Sequence, residues 1–353
     1  MAKHLDALLN RPSEWLRGSG PLSEIVISSR IRLARNLQKL PFSSRATEQT
    51  MQDVLREATE GLRQTAMLKD GLVVDLGELD EVDRQFLVER HLVSREHIVQ
   101  PKQKAVVISP DEVFSVMINE EDHLRLQVMQ SGFSLQQAWT LMDALDDELS
   151  AHVSYAYSSD WGYLTCCPTN TGTGLRASVM VHLPSLVITK QINKVLHAIT
   201  KLGLTARGLF GEGTEASGNF FQISNQVSLG RVEEELTENL ARILKQVLEH
   251  EQNARESLLK NNRTELEDRI WRAFGILRHA KTMSSGETLD LLSAVRLGVD
   301  LKLMNGLDRT TVNELFLFSQ PAHLQKLEGK RLSAQERDTK RAQLIRTRLG
   351  SSS

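Results

Sequence analysis

The chain has 353 residues, 40% of them apolar and 25% charged, the make-up of a folded protein with room for one large domain and a smaller one. A formal net charge of -2 excludes a global basic field for nucleic acid, so any anion site has to be a local cluster of Arg or Lys. The only cysteines, Cys166 and Cys167, are neighbours, which excludes a disulfide framework and fits a reducing compartment.

Along the chain, residues 1–20 read as an irregular lead-in broken by Pro12, Gly18 and Gly20, with Asp6 and Arg11 where a signal peptide would need an apolar run. No uncharged apolar stretch approaches the ~18 residues of a membrane span, so a cytoplasmic protein without membrane contact is expected. Residues 46–66 carry Met51, Val54, Leu55, Ala58 and Leu62 at helical spacing. The runs 71–76, 104–109 and 113–119 read as strands, and Pro110-Asp111 between the last two predicts a hairpin. Ser134 to Gln137 reads as a capping box opening a helix to about Leu149. Strand-like runs follow at 154–166, 177–183 and 218–224, with helix over 186–202. Beyond Val232 the pattern is helical, with capping boxes at Thr311 to Glu314 and Ser333 to Glu336 and a break at Ser285-Gly286. This predicts an α+β domain over 1–255 and an all-helical domain over 256–353.

Four segments carry chemistry. In Ser28-Ser29-Arg30-Ile31-Arg32-Leu33-Ala34-Arg35, an extended chain puts Arg30 and Arg32 on one face, where two forked cations favour a phosphate between them. In Asn119-Glu120-Glu121-Asp122-His123-Leu124-Arg125, three carboxylates follow an apolar strand. In Cys167-Pro168-Thr169-Asn170-Thr171-Gly172-Thr173-Gly174-Leu175-Arg176, a small Thr/Gly loop lets backbone amides approach an anion, though it is neither a Walker A motif nor a dinucleotide fingerprint. Arg207-Gly208-Leu209-Phe210-Gly211-Glu212 joins another arginine to another carboxylate in a loop able to close. On spacing alone, solvated arginines and an acidic turn are the favoured readings of the first two.

Taken in order, SSRIRLAR, NEEDHLR, CPTNTGTGLRAS and RGLFGEGTE resemble the phosphagen (guanidino) kinase family over roughly residues 22–232. The resemblance implies an antiparallel sheet flanked by helices, and Mg-ATP with the Mg²⁺ held mainly through the nucleotide phosphates rather than by a protein metal site. It implies an arginine cage on those phosphates from Arg30, Arg32, Arg125, Arg176 and Arg207. Ser28, Ser29, Ile31, His91, Ala177, Ser178, Val179, Met180, Gly208 and Gly211 complete the implied ATP-binding set. Glu121 and Glu212 match the two carboxylates that hold the guanidinium, and Cys167 matches the family's active-site thiol. Gln222 stands where relatives carry an acidic residue, and Met180 where a histidine is frequent. Phosphoryl transfer needs positioning and charge neutralisation, which arginines supply without proton bookkeeping. The guanidinium is the difficulty, since deprotonating it freely at pH 7 costs about 7–9 kcal/mol. Paired carboxylates can align it and take the proton as the N–P bond forms.

Small-molecule members of the family carry a helical N-terminal domain, whereas here only 27 residues precede Ser28 and a helical segment follows instead. That arrangement resembles the bacterial branch of the family that phosphorylates arginines within proteins. The resemblance then implies protein substrates with accessible arginines, product marks read by a Clp ATPase/protease, control of a heat-shock repressor, a zinc-binding activator and a homo-oligomer. In Arg337-Asp338-Thr339-Lys340-Arg341-Ala342, Arg337 and Arg341 are i,i+4 neighbours on a helix. The resemblance makes Arg337, Asp338, Arg341 and Ala342 an allosteric phosphoarginine pocket. The alternatives are a kinase for free arginine or another small guanidine, and a non-catalytic reader of phosphoarginine.

Overall fold

The computed structural model describes residues 2–9, 11–208 and 217–350. In chain order the helices are α1 (Ala2–Leu9), α2 (Glu48–Leu62), α3 (Glu81–Glu89), α4 (Leu135–Ser150), α5 (Pro184–Ile188), α6 (Ile192–Lys201), α7 (Glu233–Asn261), α8 (Arg263–His279), α9 (Ser285–Asp300), α10 (Arg309–Phe318), α11 (Pro321–Glu328) and α12 (Ala334–Gly350). The strands are β1 (Val26–Arg35), β2 (Leu72–Asp75), β3 (Ala105–Ile108), β4 (Phe114–Ile118), β5 (Leu124–Ser131), β6 (Tyr157–Ser158), β7 (Gly162–Tyr163), β8 (Leu175–His182), β9 (Leu204–Gly208) and β10 (Phe220–Asn225). Eight strands form one antiparallel sheet in the order β2-β3-β4-β5-β1-β8-β10-β9, and β6 and β7 make a separate hairpin.

Strand alternation decides what each face carries. On one face Ile31, Leu33, Leu126, Val128, Ala177, Val179 and Ile223 pack against α2, α4 and the first half of α7 in a continuous apolar core. The other face is apolar only at its ends. At one end Ile27, Met129, Met180 and Phe220 are covered by Trp15 and by helices α7 to α10 and α12. To one side Val106, Ile108 and Met117 are covered by α1 and α3, with Ala322 of α11. The middle of this face stays open, and the arginines project there.

Several expectations change. The lead-in 1–20 is not irregular: it contains α1 and a 3-10 turn at Glu14–Leu16, with Leu5, Leu8, Trp15 and Leu16 buried. The run 154–166 is not one strand but the β6–β7 hairpin. Ser134 precedes α4 without capping it, because its hydroxyl donates to Ser131 O (3.1 Å). Asp308, rather than Thr311, caps α10 by accepting from Thr311 N–H at 2.7 Å. Ser333 and Glu336 do form a reciprocal box, Ser333 N–H donating to Glu336 Oε2 (2.8 Å) and Glu336 N–H to Ser333 Oγ (3.3 Å). Residue 255, the expected domain edge, lies inside the continuous helix α7.

Candidate active site

β1 sends Arg30 and Arg32 to the open face. Register carries that face across the sheet: Arg32 lies opposite Arg176 of β8, and Ala34 opposite Arg125 of β5. Gln222 of β10 lies opposite both Met180 and Arg207 of β9, which puts Arg207 on the same side. Five arginines from four strands therefore line one cleft of about 630 Å³. Arg30 Nε and Arg32 Nε are buried and have no hydrogen-bond partner. Burial, then Arg125 and Arg176, push the Arg30 guanidinium down to about 9. Burial, then Arg30, Arg125 and Arg176, hold Arg32 well below its usual value. Both remain cationic at neutral pH. So much gathered positive charge, with the Nε donors of Arg30 and Arg32 unsatisfied, suits an anion with several oxygens, and the phosphates of a nucleotide fit it.

The acidic turn divides its labour. Asn119 takes a left-handed φ of 63° and closes the turn, its N–H donating to His123 O (2.9 Å) and its side chain to Met51 O and Gln103 O, both 2.8 Å. Asp122 is buried and accepts from Asn36 Nδ2 (2.6 Å) and Cys166 N–H (2.7 Å), tying the turn to the end of β1 and to the cysteine loop. His123 is also structural, its Nδ1 accepting from Leu37 N–H (3.0 Å). Glu120 folds back to Arg125 at 2.5 Å and accepts from Ser94 Oγ (2.6 Å) and Glu121 N–H (3.0 Å). Burial alone would raise its pKa, but Arg125 and these hydrogen bonds outweigh burial and hold it at about 2. Glu121 is the most exposed of the turn's three carboxylates, which all line the cleft, and burial, Asp122 and Glu120 push its pKa up. The structure thus separates two adjacent glutamates into a fixed counter-charge and a more basic, accessible carboxylate.

The Cys167 thiol lies 3.0 Å from Thr169 Oγ1 and near enough to the Glu121 carboxylate to offset part of that rise. Cys166 instead turns away, its thiol pushed up to about 11 by burial and Asp122. The loop after Cys167 needs its glycines: at Gly174, φ 66°, a Cβ would sit 2.6 Å from Ala34 O. Thr169, Asn170 and Gly174 line the cleft beside Arg176, whose Nε and Nη2 reach Ser224 Oγ at 3.3 and 3.2 Å. On the opposite wall His91 takes φ 58° and stacks edge-on against Trp15 at 4.6 Å. Burial, then Arg30 and Arg95, hold its imidazole at about 3, hence neutral.

Of the expected site residues, the cleft gathers Arg30, Arg32, His91, Arg125, Arg176, Arg207, Glu121 and Cys167. It does not gather the segments around them. Ile31, Ala177 and Val179 lie in the core on the far face, and Ser29 Oγ donates there to Gly132 O (2.9 Å). Ser28 is buried, Ser178 Oγ accepts from Gln222 Nε2 (3.0 Å), and Met180 lies beneath the C-terminal helices. Gly208 ends β9, while Gly211 and Glu212 lie outside the described residues. In the C-terminal segment Arg337 and Arg341 do not present a shared fork. Arg341 and Ala342 are buried, and Arg341 donates to Ser319 O (2.8 Å), Met283 O (2.7 Å) and Asp338 (2.5 Å). Arg337 and Asp338 stay partly exposed. Glu120, Ser94 and Arg95 also line the cleft, and in the sequence only the five-residue step from Glu120 to Arg125 hints at the ion pair between those two.

Residues 49–254 match the ATP:guanido phosphotransferase C-terminal catalytic domain, and residues 263–353 match the protein-arginine kinase McsB C-terminal domain. The first match begins after β1, so Arg30 and Arg32 stand on geometry. The protein-arginine kinase of Halothermothrix orenii is 49% identical over 98% of this chain and 99% of its own length. That of Desulforamulus reducens is 46% identical over 98% of each. Among solved structures, lombricine kinase superposes with a TM-score of 0.58 at 27% identity, covering 69% of this chain and 71% of its own. The duplicated taurocyamine kinase of Schistosoma mansoni does so with 0.61 at 26%, covering 67% of this chain and 34% of its own. With the arginine-lined cleft, these matches place the chain in the ATP:guanido phosphotransferase family, among relatives named protein-arginine kinases.

Proposed function

We propose that the protein transfers the γ-phosphoryl group of ATP to arginine side chains of other proteins. The observation that carries this is the make-up of one cleft, which gathers five arginines together with Glu121 and Cys167. The arginines bind the triphosphate, and Arg30 Nε and Arg32 Nε gain the partners they lack. Mg²⁺ bound with the nucleotide would be held mainly through the phosphates and would lower the charge the attacking nitrogen meets. His91, neutral and fixed by Trp15, borders the nucleotide. Glu121 receives the guanidinium. Its raised proton affinity suits a base that takes the guanidinium proton while the new N–P bond forms and the bond from γ-phosphorus to ADP breaks. Glu212 is proposed as the second carboxylate of that grip. Glu120 keeps Arg125 in place and holds the Glu121 backbone N–H, so it positions without touching substrate.

The same reading extends to the cell: phosphoarginine marks that a Clp protease recognises, control of a heat-shock repressor, a zinc-binding activator, and product sensing with self-association through Arg337, Asp338, Arg341 and Ala342. Support for this extension is the match of residues 263–353 to the C-terminal domain of protein-arginine kinases. In that role Arg341 would have to release the carbonyls it now holds.

The test is mass spectrometry of a mixed protein substrate after incubation with Mg-ATP. Phosphate on arginine is expected with the native chain and absent with Glu121→Gln, which still binds ATP. Phosphate confined to free arginine would sink the reading in favour of a small-guanidine kinase. Bound phosphoarginine without any transfer would make the chain a reader.

A further inference from the structure

The wall beyond Glu121 and Cys167 carries large apolar side chains in the open. Tyr157 is 60% exposed, Trp161 57%, Val227 56% and Leu229 43%. They belong to one rigid rim. Tyr163 N–H donates to Gly172 O (2.8 Å) and Gly172 N–H to Tyr163 O (3.3 Å), fastening the β6–β7 hairpin to the cysteine loop. Ser228 Oγ donates to Thr169 O (2.9 Å) and Thr171 O (3.0 Å), fastening the 226–231 turn to the other side of the same loop. The two are so close at Gly172 that a Cβ there would lie 2.8 Å from Leu229 Cα. Asn36 then joins Leu164 O (3.1 Å) to Asp122 (2.6 Å), next to Glu121. Exposed apolar side chains gathered beside a cleft are a costly surface unless something covers them.

We propose that Tyr157, Trp161, Val227 and Leu229 form a docking rim for an extended, unfolded segment of the substrate protein, whose arginine reaches over the cysteine loop to Glu121. This rests on the protein-acceptor reading above. Three features select that occupant. The rim is fastened to the loop that carries Cys167, which lines the cleft with Glu121. The hairpin tip carries the exposed Asp160 and the cleft within carries Glu121, while Arg231 of the facing turn is paired with Glu235 (3.9 Å), which suits a cationic segment. An unfolded segment, unlike a native surface, presents apolar side chains next to its arginines.

The test compares two acceptors, β-casein, which has no fixed fold, and Nα-acetyl-arginine amide. Trp161→Ala, and Trp161→Ala with Val227→Ser, alter exposed side chains only. The expected result is about a tenfold rise in KM for casein, with kcat, KM for ATP and the rate on the small acceptor unchanged, and recovery with Trp161→Phe. An unchanged KM for casein would overturn the docking rim while leaving the protein-acceptor reading intact. Equal loss on both acceptors, or a changed oligomeric state in sedimentation, would also overturn it. If the native chain phosphorylated the small acceptor but no protein, both readings would fall together.

Discussion

Replacing Glu120 by Gln tests whether the cleft is a strained positive cluster held by one internal counter-charge. Glu120 is nearly buried, with a side-chain exposure of 5%, and its carboxyl is held at about 2 against an ordinary value of 4.5. A shift of that size corresponds to about 3 kcal/mol of net favourable interaction. Glutamine keeps the shape and one acceptor but removes the charge. The variant should therefore lose about 3 kcal/mol at pH 7.5, or roughly 5 °C of melting temperature. Physiological salt should restore little, because the pair is shielded from solvent. The sign with pH is fixed: a carboxyl depressed in the folded state contributes stability above its unfolded pKa, and that contribution fades as pH falls from about 4.5 toward 2. The gap between native and variant should close over that range. Saturating ATP should also narrow the gap, because nucleotide phosphates supply Arg125 with the charge that Gln cannot. Urea melts with and without ATP measure both effects. A loss below about 1 kcal/mol, or a gap that ATP leaves untouched, would refute the reasoning.

Acid should weaken the fold well before that range. Burial holds His91 at about 3 and His97 at about 4, with His182 and His323 also well below 6.5. Each contributes stability above its unfolded pKa that is lost as pH falls below about 6.5. Glu89 runs the other way: burial raises it to about 7, so its contribution is complete below 4.5 and lost as pH rises through 7. The depressions at His91 and His97 together exceed the rise at Glu89, which predicts a falling denaturation midpoint between pH 6.5 and 4, read from urea curves; a flat profile would contradict it. Asn36→Ala removes the buried side chain that joins Asp122 and Leu164 O and accepts from His123 N–H (2.9 Å). It should cost about 2–3 kcal/mol. It should also lower kcat more than it raises KM for ATP, since it loosens the turn under Glu121 and not the arginines; the reverse split in steady-state kinetics would count against that role.

What could be read from the chain was what strand and helix periods encode locally. The two-residue step from Arg30 to Arg32 was enough to give them one face, and the same step should have put Ser29 and Ile31 on the other. Attributing the whole segment to the nucleotide ignored that alternation, as it did for Ala177 and Val179. β5 is hard to read because Arg125 and Gln127, on the face opposite the core, mask the apolar alternation of Leu124, Leu126 and Val128. That Arg125, Arg176 and Arg207 share the cleft depends on registers between strands distant in sequence, for which no local signal exists. Nor could spacing say which of Glu120 and Glu121 faces inward; the choice belongs to Ser94 and Arg125. Residues 1–20 were lost to Pro and Gly punctuation, although Leu5, Leu8, Trp15 and Leu16 are all buried.

The C-terminal helices are part of the cleft's construction, not an appendage to it. Three successive residues show why. Glu89 accepts from the first N–H groups of α11, Ala322 (2.8 Å) and His323 (3.0 Å). Arg90 is buried between Glu112 (2.5 Å), Arg11 O (3.0 Å) and His323 (3.3 Å). His91 then enters the cleft with φ 58°, a conformation a non-glycine residue keeps only when its surroundings dictate it. From the other side Arg296 of α9 donates to Ser23 O (2.6 Å) and His182 Nδ1 (2.9 Å), tying the helices to the lead-in of β1 and the end of β8. Such buried ionic contacts are costly to break on one side, because the partner left behind keeps its charge without solvent. The arginine face of the sheet and the wall that carries His91 are therefore held in register by helices that contribute no residue to the cleft, and an edge drawn near residue 255 separates sequences rather than working parts.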